Sequence, residues 1–500
     1  MASSTLNKGA NAEGQTKRGE KLIGISSFGV YLPSYRLPRE VIAQATGGQS
    51  RGGERAVANY DEDALSMGVE ASLECRDNYA RTRGYRFDGT KLRALLFIST
   101  SSPYREKQGA SVLGSVLEVE HSTLVTDLCA SLRGGLTAVE VGINLLKESG
   151  PDATVLLVAA DRRSAEPGSD QEQAFGDGSA ALLLGQANVL ATFEAHYTVN
   201  VDFPHFWRRE NDRYVNMGDV RFVENYGYLP LMSEAINGLL RKTGLSVDEV
   251  AKLIVYAPNP RLAVRLARRL GFDPENQLAD TLFGSVGDTG TAQVFLSLIG
   301  VLSKSTPGER LIIAGYGDGA EAILLRVTEN IEQVGMYRGL EDHLKRGRHL
   351  KNYAKYLHFR DITGESSYDA FSSLALLWRE ERQNLRLYAV KCSNCGAIHF
   401  PRHRVCYKCG AKDQMDDFKL SRRGYVYTYT NDYLYLNPDP PQTLAAVDLE
   451  GGGRFYGQVT DVNPQDMRIG MEVELSFRKL HDGQSIPNYF WKARPAIRRE

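Results

Sequence analysis

A chain of 500 residues exceeds the usual size of one hydrophobic core, so two or more folding units are expected. Lys+Arg 60 against Asp+Glu 61 leaves a formal net charge of -1, which excludes a globally basic nucleic-acid binder and a protein held to anionic membranes by bulk charge. Any basic site must be local.

Residues 1–20 (MASSTLNKGANAEGQTKRGE) are polar, lack an apolar core of signal-peptide length, and read as a disordered tail. No later stretch reaches the roughly 18 apolar residues that a membrane span needs, so a cytoplasmic protein without membrane contact is expected. Over 21–330, the apolar runs Ala94–Ile98, Val155–Ala159, Leu253–Val255 and Leu311–Ala314 alternate with longer segments of helical periodicity. That is an α/β pattern with buried strands. Two passages read alike, FGDGSAALLLG (Phe175–Gly185) and YGDGAEAILLR (Tyr316–Arg326), and each predicts a β-hairpin whose glycines supply unusual backbone angles. A helix candidate rich in small residues precedes each one, so the domain is expected to be a duplication of two α/β halves.

Cys129 lies in VTDLCASLRGG, where a strand-like run meets the start of such a helix. A helix N-terminus favours a thiolate, and neighbouring amides can hold a thioester oxyanion. By residue type alone, a small buried core cysteine is the commoner case. Arg261 and Arg265, one helical turn apart in PNPRLAVRLARRLGF, offer phosphate contacts; a solvated basic face is the alternative. Neither Gly-Asp-Gly loop has the Gly-Lys-Ser/Thr ending of a phosphate-binding Walker loop.

Residues 331–365 are basic and amphipathic and predict a helical closing segment, followed by a helix within 366–386. At 387–420, Cys392-Ser-Asn-Cys395 and Cys406-Tyr-Lys-Cys409 enclose ten residues (396–405) and are each followed by glycine. Two such turns can aim four thiolates at one tetrahedral ion, and a fully protein-ligated site is structural rather than catalytic. Zinc is the expected metal; a disulfide pair or tetrathiolate iron are the alternatives. From 421 to 500, short Tyr- and Val-rich runs such as YVYTYT and FYGQVTDV, separated by Asn-Pro, Pro-Pro and Gly-Gly-Gly, predict a small β-barrel of OB type. Its tyrosines (Tyr425, Tyr427, Tyr429, Tyr433, Tyr435) suit base stacking or a packed strand face, and the alternation in YVYTYT fits packing, so nucleic acid is not the expected partner.

The segment CSNCGAIHFPRHRVCYKCG followed by RRGYVYTYT resembles the zinc-ribbon/OB-fold family that accompanies thiolase-type acyl-CoA proteins. The region from Ile23 to Thr328 resembles 3-hydroxy-3-methylglutaryl-CoA synthase of the thiolase superfamily in YDEDALSMGVEAS, the Cys129 helix, HFWRR, VYAPNPRL, VGDTGTAQVFLSLIGVL and AGYGDG. The resemblance implies a duplicated thiolase-like domain, a coenzyme A thioester substrate, a homodimer, Cys129 as acyl-accepting nucleophile, Arg261 and Arg265 as CoA contacts, and Gly317 and Gly319 as an oxyanion loop. It also exposes departures. The family's general-base glutamate corresponds to Ser101, its histidine to Tyr256, and its VGN asparagine to Asp288. Serine cannot serve as a carboxylate base, whereas tyrosine, with a reference pKa near about 10, can donate a proton or act as a perturbed base beside Asp288. Asn259 falls at the end of a word like the His-Gln-Ala-Asn of ketoacyl synthases and is a candidate for active-site support. The implied activity is carbon–carbon bond formation or cleavage on an acyl-CoA. The alternatives are a tyrosine-dependent retro-aldolase and a noncatalytic subunit that binds acyl-CoA and recruits a separate thiolase through its C-terminal domain.

Overall fold

The computed structural model describes residues 22–83, 89–129, 131–363, 371–435, 437–483 and 486–497. The expected 1–20 tail lies outside them.

A nine-stranded sheet organises the first 330 residues. From its centre outward on one side run Gly24–Tyr31, Asp177–Gly185, Thr154–Arg162, Leu92–Ser99 and Leu124–Cys129. On the other side run Ala191–Asn200, Gly319–Val327, Arg310–Tyr316 and Lys252–Val255. The order repeats, and an isolated parallel bridge between Leu253 and Leu278 stands where Leu124–Cys129 stands in the first half. All four predicted apolar runs are strands, buried on both faces because helices cover the sheet. The two small-residue helices are Gly134–Lys147 and Gln293–Leu302, and Gly135 brings the first close to Phe295 of the second, 3.2 Å from a Cβ at that position.

The two glycine passages differ in build. The second is a tight hairpin, with Gly317, Asp318 and Gly319 at φ 157°, 50° and 111°. The first is not: the helix Asp170–Ala174 intervenes between its paired strands, and neither Gly176 nor Gly178 has a positive φ. Gly176 is needed for another reason, since a Cβ there would collide with the Val286 carbonyl.

The closing segment is broken rather than one helix. A 3-10 turn Glu329–Met336, the helix Leu340–Lys345, the strand Arg348–His349 beside Tyr35–Pro38, and the helix Tyr353–Phe359 share its length. Its basic residues are drawn into specific partners: Arg360 pairs with buried Asp177, and Lys355 with Asp439 of the barrel domain. The expected helix before the cysteines is two short ones, Leu374–Arg379 and Glu381–Asn384.

The ribbon is a three-stranded sheet of Ile398–His399, Tyr388–Cys392 and Met415–Lys419. The barrel closes in the order Arg423–Asp432, Gln442–Leu449, Arg454–Val459, Ile486–Pro495, Glu472–Gly483. Here the packing expectation for YVYTYT is corrected, because the alternation turns Val426 inward while Tyr425 and Tyr427 are 48% and 53% exposed. Arg454 stacks its guanidinium 3.6 Å from the Tyr427 ring.

Candidate active site and metal centre

Cys129 ends the edge strand Leu124–Cys129 in register with Ser99, and it is exposed. The following helix begins only at Gly134, so the thiol sits short of the helix N-terminus. Partial burial, then the carboxylates of Asp127 and Asp161, push this thiol above its ordinary value. The expected thiolate stabilisation by the helix end is therefore outweighed, and the thiol needs a proton acceptor to act.

The Gly317–Gly319 loop of the second half caps this segment. Ser131 Oγ donates to Gly317 O at 3.2 Å, and a Cβ on Gly317 would lie 3.0 Å from Ser131 Oγ, 3.1 Å from Leu132 N and 3.2 Å from Arg133 N. The Gly317 N–H is committed to Gly319 O at 3.0 Å. Gly317 thus provides close approach, and its own amide is not a free oxyanion donor.

Ser101 donates to Asp161 Oδ1 at 2.8 Å and accepts from Arg162 N at 2.8 Å. The same carboxylate oxygen also accepts from Ser99 Oγ, Thr100 N and Thr100 Oγ1, while Oδ2 takes Thr291 N and Thr291 Oγ1. Ser101 belongs to a filled hydrogen-bond network rather than offering a free base.

The Asp288–Thr291 turn joins that network to a second one. Gly290 N donates to Asp288 Oδ1 at 2.9 Å, and Gly290 must be glycine, because its φ is 61° and a Cβ would meet Asp161 Oδ2 and Arg163 Cδ. Tyr256 Oη donates to Asp288 Oδ2 at 3.0 Å, and Arg163 Nη1 bonds the same oxygen. All three side chains are buried. Burial first, then the Asp288 charge, holds the Tyr256 phenol well above its ordinary value. The phenol keeps its proton here and directs it in a hydrogen bond to Asp288. Arg163, held above its ordinary value by Asp288 despite burial, also lies over the rings of Phe175 (3.7 Å) and Phe206 (5.0 Å).

Sequence reasoning missed Asp161, Arg163 and His205. His205 is buried against Phe206 and Tyr316, has no hydrogen-bond partner on Nδ1, and burial followed by the Arg163 charge lowers it to about 3. It is a neutral imidazole at physiological pH. The signals were present: Asp161–Arg163 end a buried strand in charge, and His205 opens HFWRR.

Two further expectations change. Asn259 Oδ1 accepts from Leu262 N at 2.9 Å and caps the helix Pro260–Leu270, which accounts for its side chain without active-site support. Both arginines are exposed, but Arg265 forks onto Glu224 (2.8 Å) and Asn225 (3.3 Å), leaving Arg261 as the cation of that pair without a carboxylate partner among the described residues.

In the ribbon, Sγ of Cys392 and Cys409 lie 3.7 Å apart and those of Cys395 and Cys406 3.5 Å, all four within 4.8 Å of one another. Zn–S bonds of about 2.3 Å to tetrahedral vertices give S–S edges of about 3.8 Å, so the four sulfurs fit zinc. They lie too far apart for disulfides. Gly396 (φ 73°) and Gly410 (φ 75°) donate back to Cys392 O and Cys406 O, forming two equivalent turns.

An exposed cysteine at a strand end in one half lies close in sequence to the segment capped by a glycine hairpin from the other, and the chain's relatives make it an acyltransferase of the thiolase superfamily. Residues 379–415 match the family described as ChsH2, rubredoxin-like zinc ribbon domain, and 419–478 the ChsH2, C-terminal OB-fold domain. The chain is 33% identical over 340 residues to hydroxymethylglutaryl-CoA synthase of Aeropyrum pernix, covering 66% of this chain and 92% of that protein. It is 30% identical over 348 residues to the synthase of Archaeoglobus fulgidus, covering 68% and 98%. MvaS in complex with 3-hydroxy-3-methylglutaryl coenzyme A shares its fold at TM-score 0.60 and 18% identity, over 71% of this chain and 95% of that one. The chain belongs to the hydroxymethylglutaryl-CoA synthase family, with a zinc ribbon and an OB barrel in the same polypeptide.

Proposed function

We propose that the protein makes or breaks a carbon–carbon bond on an acyl-CoA, with Cys129 carrying the acyl group as a thioester. The observation that carries this reading is the exposed Cys129 a few residues before the Leu132 and Arg133 amides that lie under the Gly317 loop. Cys129 Sγ attacks the thioester carbonyl carbon, the carbon–sulfur bond to CoA breaks, and CoA leaves as a thiol carrying the proton that Cys129 gave up. Leu132 and Arg133 N–H are the donors we assign to the tetrahedral oxyanion. Protonated Tyr256 is the group we assign as the acid of the carbon–carbon step. A phenolate-dependent retro-aldolase has less support, because burial and Asp288 keep that phenol protonated. Arg261 remains the CoA phosphate contact.

Two copies are assigned to the active form, since Leu124–Cys129 is an unpaired sheet edge with Leu124 43% exposed, which a second copy can cover. No cysteine among the described residues is in a disulfide, four converging on the metal site while Cys75 and Cys129 stand apart, in keeping with a reducing cytoplasm. No helix among the described residues is long and apolar enough to cross a membrane.

The test is intact-protein mass spectrometry after mixing with acetyl-CoA and longer acyl-CoAs, alongside product masses for condensation and cleavage. An acyl adduct on the unaltered chain that is absent in Cys129→Ser, with at least about a hundredfold slower turnover in Tyr256→Phe, supports the assignment. No adduct with any thioester, together with unchanged turnover in Cys129→Ser, overturns it; a copurifying thiolase active beside Cys129→Ser would favour an assembly subunit instead.

A further inference from the structure

The helix Gly134–Lys147 that follows Cys129 crosses the strands Ala191–Asn200 and Gly319–Val327, and three metal-ligating side chains meet there. Glu140 comes from the helix. His196 and Glu321 come from the two antiparallel strands, where the register sets Ile323 opposite His196, so that Glu321, two residues from Ile323, shares its face with the histidine. One ligand atom from each of the three lies within 4.8 Å of the others, and His196 Nδ1 is 3.3 Å from Glu140 Oε2.

The carboxylate of Glu321 is the informative member. The residue is 1% exposed; its Oε2 accepts from Thr137 Oγ1 at 3.1 Å, but its Oε1 is buried without a hydrogen-bond partner. A buried carboxylate oxygen left unpaired is costly, and here it faces a second carboxylate. The neighbouring cations are engaged elsewhere: Arg133 reaches Val199 O and Asn200 Oδ1, and Lys242 donates to His196 O at 3.0 Å. One imidazole nitrogen and two carboxylate oxygens form the ligand set of a divalent first-row transition ion. Ligand bonds of about 2.1 Å give tetrahedral edges of about 3.4 Å, close to the observed His196–Glu140 separation.

We propose that Glu140, His196 and Glu321 form a second divalent-metal site, distinct from the ribbon, that staples the helix after Cys129 to the strand carrying the Gly317–Gly319 hairpin. Glu140 and His196 are 37% and 43% exposed on their side chains and open the site to solvent, whereas Glu321 anchors it from within. The ion sets the gap between the two segments that enclose the thiol. It does not depend on which reaction Cys129 performs.

The test uses the full-length protein equilibrated with buffered Zn²⁺, freed of unbound metal and analysed by plasma mass spectrometry. Two zinc ions per chain are expected, falling to one in Glu321→Gln and in His196→Gln, with the ribbon zinc retained. Because Glu321→Gln alters a buried position, His196→Gln on the half-exposed side is the variant that keeps folding out of the result. Mn²⁺, which suits carboxylate and imidazole ligands rather than four thiolates, raises the melting temperature of the unaltered chain and leaves that of His196→Gln unmoved. One zinc per chain in the unaltered protein, or a second zinc that survives both substitutions, overturns the proposal.

Discussion

The Arg163–Asp288 pair offers a test whose size follows from burial. Both side chains are nearly inaccessible, at 3% and 1%, and Asp288 Oδ2 receives both Arg163 and Tyr256. In Arg163→Met the carboxylate keeps two neutral donors, Tyr256 Oη and Gly290 N, but loses its counter-ion. An uncompensated buried charge of this kind costs about 3–5 kcal/mol. Asp288→Asn strands the guanidinium instead; nearby Asp161 softens the loss, so the cost falls at the lower end of the same range. The double variant removes both charges and gives up chiefly the stacking of Arg163 on Phe175, about 0.5–2 kcal/mol. A double-mutant cycle in urea, followed by a probe within the condensing domain, should therefore give a coupling of roughly 4–7 kcal/mol, with the double variant more stable than either single. Single variants within about 1 kcal/mol of the unaltered protein, or a double variant showing the plain sum of both losses, would refute the buried pair.

Glu474 is held down to about 2 by Arg494 first and Arg338 next, against the opposing effect of burial. Its folded value is below its unfolded one, so its contribution is present above about pH 4.5 and is lost as pH falls from there toward 2; Glu474→Gln should flatten the fall in melting temperature over that window, with up to about 3 kcal/mol at stake. Asp127→Asn removes one of the charges that raise the Cys129 thiol, and should speed alkylation of Cys129 by iodoacetamide at neutral pH, whereas an unchanged rate would leave burial and Asp161 as the cause. Cys406→Ser should lose one zinc per chain and expose 387–420 to proteolysis while the sheet of the first 330 residues stays protected, because ribbon folding and metal binding are one equilibrium.

Local pattern carried the fold a long way. Runs of valine, leucine and alanine fixed the buried strands, and the paired Cys-x-x-Cys turns fixed the metal ligands, because both depend on neighbours a few residues apart. The broken closing segment was hidden, since its amphipathic pattern is answered by distant partners such as Asp177 and Asp439 rather than by one continuous apolar groove. The same reason hid half of the candidate site. Tyr256 and Asp288 stood out as departures from a family pattern, but what they touch is Arg163 from the other half, and spacing along one chain does not reveal a salt bridge between residues 125 positions apart. His205 escaped for a different reason: a lone histidine beside an aromatic carries no pattern of its own, and only the fold shows it buried, neutral and with an empty Nδ1.

The acidic word YDEDALSMGVEAS shows why the barrel is more than a tethered accessory. In sequence it reads as part of the condensing domain; in the structure its carboxylates are the socket for the barrel. Asp61 binds Arg478 at 3.1 Å and Lys492 at 2.9 Å, Asp63 accepts from Tyr489 at 2.7 Å, and Glu70 takes Arg494 at 2.9 Å and the Phe477 amide at 2.8 Å. These groups are buried, so undocking the barrel would leave charges of both signs without partners unless water entered along the whole face. The ribbon adds a second anchor, with Tyr388 and Lys419 both on Glu118. Glu118 ends the helix Gly109–Leu117, whose first amides, Gly109 N and Ala110 N, are held by Asp127, two residues before Cys129. One nine-residue helix thus links the ribbon to the strand that ends in Cys129. A barrel fixed by that many buried charges is seated on the condensing domain rather than swinging as a free carrier arm.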